Sequence, residues 1–190
     1  MFVFIILIVV LCAAPVSADQ HDDTQVLIVY YSMTGNTKEM ALAVADGVNA
    51  VEGATAVVKS VEEVIKDDLV RADGIILGSP SYYANVAAPM KEFIDAWYFE
   101  YELPMFDKVG GAFCPGGSRT GGQELVVISL LLAMMNNGMI VAGPLYEAWG
   151  TFGATAMTDT APHEGVDEYE LADCRLLGER IARVAQQMRK

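Results

Sequence analysis

The stretch QVLIVYYSMTGNTKEMA, Gln25 to Ala41, decides the fold. QVLIVYY (25–31) is almost purely apolar and reads as a buried strand. Ser32 to Thr37 then places three hydroxyl residues and a glycine in six positions. From about Thr37 to Val51 the apolar residues Met40, Val44, Val48 and Val51 fall on one face at helical spacing. A buried strand that turns through small hydrogen-bonding residues into a helix opens an α/β unit, with a helix N-terminus held at the end of a strand.

The same grammar repeats downstream. ATAVVKSV (54–61), DGIILGS (73–79), KVGGAFC (108–114) and MIVAG (139–143) read as further strands. APMKEFIDAWYF (88–99), GQELVVISLLLAMMNN (122–137) and a tail helix from about Asp167 to Met188 read as helices. The tail is acidic at its start and basic at its end, which suits the helix dipole. Continuous apolar strands alternating with helices predict a parallel sheet covered on both faces. The expected fold is a doubly wound, five-stranded α/β sheet of order 2-1-3-4-5. Residues 150–165 are expected to be irregular.

The first 18 residues stand apart and carry no charged side chain. An apolar block, Phe2 to Ala14, leads to Pro15 and then Val16-Ser17-Ala18, a small-residue ending like a signal-peptidase site before Asp19. The block is short for a membrane span, which takes about 20 residues. It reads as a secretory signal, which implies a periplasmic or secreted protein. The alternative is an uncleaved anchor or a misassigned start, with the domain membrane-anchored or cytoplasmic. Residues 19–190 form one domain on this reading.

Composition narrows the function classes. The 190-residue chain has a net charge of -13, so nucleic acid is not an expected partner. Its three cysteines form no CxxC, and its two histidines, His21 and His163, fit no metal spacing. No metal site is expected.

In doubly wound sheets ligands sit at the carboxyl ends of the strands, which points to the loops after strands one, three and four. Ser32 to Thr37 offers a helix N-terminus and several neutral donors, a phosphate-binding arrangement that is neither a Walker A loop nor GxGxxG. A plain N-cap would need only one such residue. In GSPSYYANVAAPMKEF (78–93) two tyrosines stand where a planar ligand would stack, or else pack on the following helix. Between Ser79 and Tyr83 there is no glycine, the residue that takes positive φ at little cost, and Pro80 and the tyrosines stiffen the loop. PGGSRTGGQE (115–124) reads as close backbone approach to a ligand or as a flexible loop. Cys114, without a nearby base, reads as a packing cysteine.

YYSMTGNT, GSPSYYANVAAPMKEFID, GGSRTGGQE, NNGMIV and GTFGAT (150–155) occur in the order found in flavodoxin-like FMN proteins. From about Gln25 to its end the chain resembles the WrbA type of NAD(P)H:quinone oxidoreductases. The resemblance implies a flavodoxin-like fold and FMN as cofactor. It places Ser32, Met33, Thr34, Gly35, Asn36 and Thr37 on the phosphate. Pro80, Ser81, Tyr82 and Tyr83 flank the isoalloxazine, with Asn85 in the same loop. The loop from Pro115 to Gly121, with Gly116, Gly117 and Ser118, holds its pyrimidine edge by backbone N–H groups. Asn136 stands where the family has a histidine beside the flavin. Thr34 and Tyr101 fall on the substrate side; Trp97, Tyr98 and Phe99 read equally as core or as a subunit contact. No side chain is needed as acid or nucleophile. The implied activity is two-electron reduction of a quinone or similar acceptor by NAD(P)H, in a homo-oligomer, a tetramer by resemblance. The alternative is an electron-carrying flavodoxin docking on a protein partner, which the acidity favours.

Overall fold

The computed structural model describes residues 23–145, 152–160 and 163–189. The apolar start lies outside the described residues, as do Gly150 and Thr151 of the GTFGAT segment. The elements in order are β1 (Thr24–Tyr30), α1 (Asn36–Asn49), β2 (Ala54–Ser60), α2 (Lys66–Arg71), β3 (Gly74–Gly78), β4 (Ser81–Tyr82) and β5 (Asn85–Val86). There follow α3 (Ala88–Phe99), β6 (Val109–Gly116), α4 (Gln123–Asn136), β7 (Ile140–Val141), β8 (Ala154–Met157), β9 (Asp159–Thr160), β10 (His163–Glu164) and α5 (Glu168–Met188).

Alternation along β1 builds both layers at once, because successive strand side chains point to opposite faces. Val26, Ile28 and Tyr30 join Ile76 and Phe113 in a cluster with Met40 and Val44 of α1 and Leu177 and Ile181 of α5. Leu27 and Val29 join Ile75 and Leu77 in a second cluster with Met90 and Trp97 of α3 and Leu130 of α4. The sheet runs β2-β1-β3-β6-β7, all parallel, so the expected five-strand order with helices on both faces is present.

The fifth position differs from expectation in detail. β7 pairs with β6 only at Val109↔Ile140 and Gly110↔Val141. β8 pairs in parallel with the other end of β6, from Phe113↔Ala154 to Gly116↔Met157. Two short strands thus share the edge where MIVAG was expected alone. Pro144, which has no N–H to give a ladder, follows β7 closely. The stretch 150–165, expected to be irregular, holds β8, β9 and β10. Ala-Thr-Ala-Met carries little strand propensity of its own; pairing with a central strand makes it one.

α1 and α5 meet through two glycines. A Cβ on Gly47 would lie 1.9 Å from the Arg175 carbonyl oxygen, and one on Gly178 would lie 2.0 Å from that of Val44. α5 begins in a capping box: the Asp167 carboxylate accepts from Glu170 N at 2.9 Å, and Glu170 Oε2 accepts from Asp167 N at 3.0 Å. Glu170 Oε1 also accepts from Met157 N at 2.6 Å, which ties this helix to β8.

Candidate functional site

β1 ends at Tyr30, and the chain turns through Ser32–Gly35 into α1. Gly35 sits at φ 101° as N-cap, and no side chain caps the helix. The Ser32 hydroxyl is used inside the turn, accepting from Gly35 N at 3.1 Å. Glu39 N is bonded to Gly35 O at 2.9 Å. The amides of Asn36, Thr37 and Lys38 therefore have no intrahelical acceptor. The hydroxyl-rich turn is not a simple cap, and its open donors face a cleft.

The third-strand loop is a tight hairpin. Ser79, fully buried, donates to Pro80 O at 3.0 Å and accepts from Ala87 N at 3.0 Å, fixing the start of α3. β4 and β5 pair antiparallel across Tyr83 and Ala84, at φ 53° and 59°. Two consecutive positive φ values make a type I′ turn, which glycine or asparagine normally fills. The glycine-free loop thus takes the left-handed conformation anyway. Asn85 holds the turn, donating from Nδ2 to Tyr83 O at 2.9 Å. Ser81 Oγ donates to Gly121 O, and a Cβ on Gly122 would lie 2.4 Å from that of Ala84, so the hairpin rests on the fourth-strand loop.

These loops enclose a cleft of about 250 Å³ at the carboxyl edge of the sheet, lined by Met33, Thr34, Asn36 and Thr37, by Pro80, Ser81 and Tyr82, by Pro115, Gly116 and Gly117, and by Thr158 and Asp159. Thr37 is nearly buried, whereas Met33 and Tyr82 leave apolar surface open to the cleft. Burial, and then proximity to Tyr31, pushes the Tyr82 phenol up, so it stays a neutral donor. Cys114 is buried and its thiol is pushed well above the ordinary value by desolvation, so it offers no thiolate.

Not every expected residue lines this cleft. Ser32, Gly35, Ser118, Gly121 and Asn85 shape the loops behind it. Tyr83 points fully into solvent at the hairpin apex. Asn136 and Tyr101 are placed away from it altogether. α4 leaves the carboxyl edge at Gln123 and reaches Asn136 after 14 residues, about 20 Å, at the opposite edge. There Asn136 lines a separate groove of about 590 Å³ with Tyr98, Phe99 and Phe106. Tyr101 N bonds Ala96 O at the end of α3, at that same edge. Within one chain neither residue can touch a ligand in the cleft, because the helix that carries or precedes each spans the sheet. The aromatic group divides: Trp97 is core, while Tyr98 and Phe99 are 74% and 77% exposed.

Thr158 and Asp159 were not among the expected residues. They reach the cleft because β8 pairs with β6 and Thr158 N bonds Gly116 O at 3.0 Å.

The family model for NADPH-dependent FMN reductases matches residues 44–153. The chain belongs to this family. It is similar to the NAD(P)H dehydrogenase (quinone) of Solidesulfovibrio magneticus, 30% identical over 203 residues, covering 86% of this chain and 98% of that one. It is also similar to a flavodoxin of Aquifex aeolicus, 35% identical over 158 residues, 83% of this chain and 85% of that one. A WrbA-like flavodoxin structure from Agrobacterium tumefaciens superposes with a TM-score of 0.71 at 27% identity, covering 87% of this chain and 99% of that one.

The cleft of this FMN reductase family member fits a flavin mononucleotide by its own chemistry. Open helix amides with Thr34, Asn36 and Thr37 form a neutral donor set for a phosphate monoester. Met33 and Tyr82 offer polarisable and aromatic surface to a planar ring. Gly116 and Gly117 expose backbone on the opposite wall.

Proposed function

We propose that this protein is an FMN-dependent oxidoreductase that uses NAD(P)H to reduce quinones or similar acceptors by two electrons. The observation that carries the reading is the convergence of three loops on one cleft at the uncapped start of α1. When bound, FMN supplies the chemistry: it accepts hydride equivalents from the nicotinamide and passes electrons on.

The chain's own work is binding and orientation. The amides of Asn36, Thr37 and Lys38 and the Thr34 and Thr37 hydroxyls hold the phosphate, aided by the positive end of the helix dipole. Tyr82 and Met33 bound the ring. The backbone of Gly116 and Gly117, in the loop clamped by the Ser81–Gly121 bond, faces its polar edge. On this reading no side chain needs to act as acid or nucleophile. Asn136 and Tyr101, on the far edge, serve a flavin only through a neighbouring copy. The exposed Tyr98, Phe99 and Phe106 beside them support a homo-oligomer in which that edge faces another chain's cleft.

A second reading is an electron-carrying flavodoxin. The alignment with the quinone dehydrogenase relative runs over 203 positions with only 86% of this chain, so it carries long gaps here. The alignment with the Aquifex flavodoxin is nearly gapless, 158 positions for 83% of the chain. The net charge of -13 suits docking on a basic protein. The test is turnover: the purified protein with FMN is given NADH or NADPH and benzoquinone. Steady quinone reduction without any added protein supports the enzyme; none at all favours the carrier.

A further inference from the structure

Among the described residues lining the cleft, Asp159 carries the only formal charge. The wall is otherwise neutral, although the ligand assigned to it is an anion. The place of this carboxylate is specific. A Cβ on Gly117 would fall 2.6 Å from Asp159 Oδ2, so glycine at 117 leaves room for it beside the fourth-strand loop. Its backbone is pinned on both sides. Thr158 N bonds Gly116 O at 3.0 Å, and Asp159 pairs with Glu164 in the β9–β10 hairpin. Among the described residues, no salt bridge neutralises it.

We propose that Asp159 is a positioning residue that tunes the bound cofactor: seated beside Gly117, it opposes negative charge on the flavin's pyrimidine edge and weakens binding of reduced FMN relative to oxidised FMN. The inference rests on the FMN reading above. Two electrons and one proton added to the flavin leave one extra negative charge, spread over the pyrimidine edge, which on that reading would lie against the fourth-strand loop. A solvent-exposed carboxylate on this pinned backbone repels that charge through a partly solvated medium, where one such interaction changes an equilibrium by about threefold to tenfold. Loss of packing or of local shape would weaken binding of both redox states alike. The ratio of the two affinities therefore reports charge and not shape.

The experiment uses the full chain freed of cofactor, titrated anaerobically with oxidised FMN and with dithionite-reduced FMN. The proteins compared are the wild type, Asp159→Asn and Asp159→Glu. In Asp159→Asn the ratio of reduced to oxidised dissociation constants should fall about threefold to tenfold, and Asp159→Glu should keep the wild-type ratio. The fall should shrink in about 1 M salt, where charges are screened over a few ångströms. A ratio in Asp159→Asn within about twofold of wild type overturns the inference, as does an equal loss of affinity for both forms. If the wild type binds neither form, the cofactor assignment itself fails, and that result is visible before any variant is compared.

Discussion

At the residue scale, Thr37 is the sharpest test of the phosphate-binding turn. It lines the cleft and is 2% exposed, so Thr37→Val keeps most of its volume while deleting a donor. A lost bond to a charged group costs about 1.5–3 kcal/mol, so FMN affinity should fall at least about tenfold in a fluorescence titration. Unchanged affinity would remove the turn from the site. The cysteines give a second test. Cys114 and Cys174 are buried, and desolvation pushes both thiols up. At pH 8 both should resist iodoacetamide in the native protein and react once it is unfolded in guanidinium, as read by peptide mass spectrometry. Rapid native labelling at Cys114 would mean that the cleft wall opens.

At the element scale, the β4–β5 hairpin holds Tyr83 at φ 53°, where a side chain costs about 1–2 kcal/mol relative to glycine. Tyr83 touches nothing that would compensate, being fully exposed. Tyr83→Gly should therefore raise stability by about 1 kcal/mol in urea unfolding. A loss of stability would show that the ring makes a contact absent from this chain alone. The α1–α5 seam behaves in the opposite sense. Gly178→Ala puts a methyl where the Val44 carbonyl stands, and overpacking of that kind costs about 1–3 kcal/mol. Glu170 links α5 to β8. Its carboxyl is held above the ordinary 4.5, chiefly by burial, against opposing bonds from the amides of Met157 and Asp167. The folded state thus keeps this proton to higher pH than the unfolded chain does. Its contribution to stability is largest below the unfolded value and is lost as pH rises through the folded one. Compared with Glu170→Gln, the wild type should lose relative stability as pH climbs from about 4 towards 7. A gap that is flat with pH would place the carboxyl in water.

At the scale of the whole molecule, two edges of one sheet carry different properties. The carboxyl edge holds the cleft; the opposite edge holds exposed aromatics and Asn136. Phe99→Ser should leave the fold intact, since the ring is 77% exposed, but should shift the protein towards monomer in analytical ultracentrifugation. An unchanged assembly would exclude this edge as the contact. No described helix is long and apolar enough to cross a membrane. The sheet begins at Thr24, so a chain starting at Asp19 should be soluble and bind FMN. If it precipitates while the full chain folds in detergent, the first residues belong to the structure and the export reading is lost.

What the sequence determined by itself was whatever is encoded by period. Apolar runs in β1 and β3 and the stripes of α1 and α5 announce a covered parallel sheet, because buried strands and amphipathic helices must repeat at fixed intervals. The bounds of α3, Ala88–Phe99, were legible to the residue. The turn from Ser32 to Thr37 was legible too, since a helix start at a strand end is a local event. The tertiary structure alone decided what depends on residues far apart in the chain. β8 has no strand signature and exists by pairing with β6, and that pairing carries Thr158 and Asp159 into the cleft. Asn136 and Tyr101 are removed from it for the converse reason. Motif order along a chain says nothing of which edge a residue occupies, and a helix of 14 residues is enough to carry one from one edge to the other.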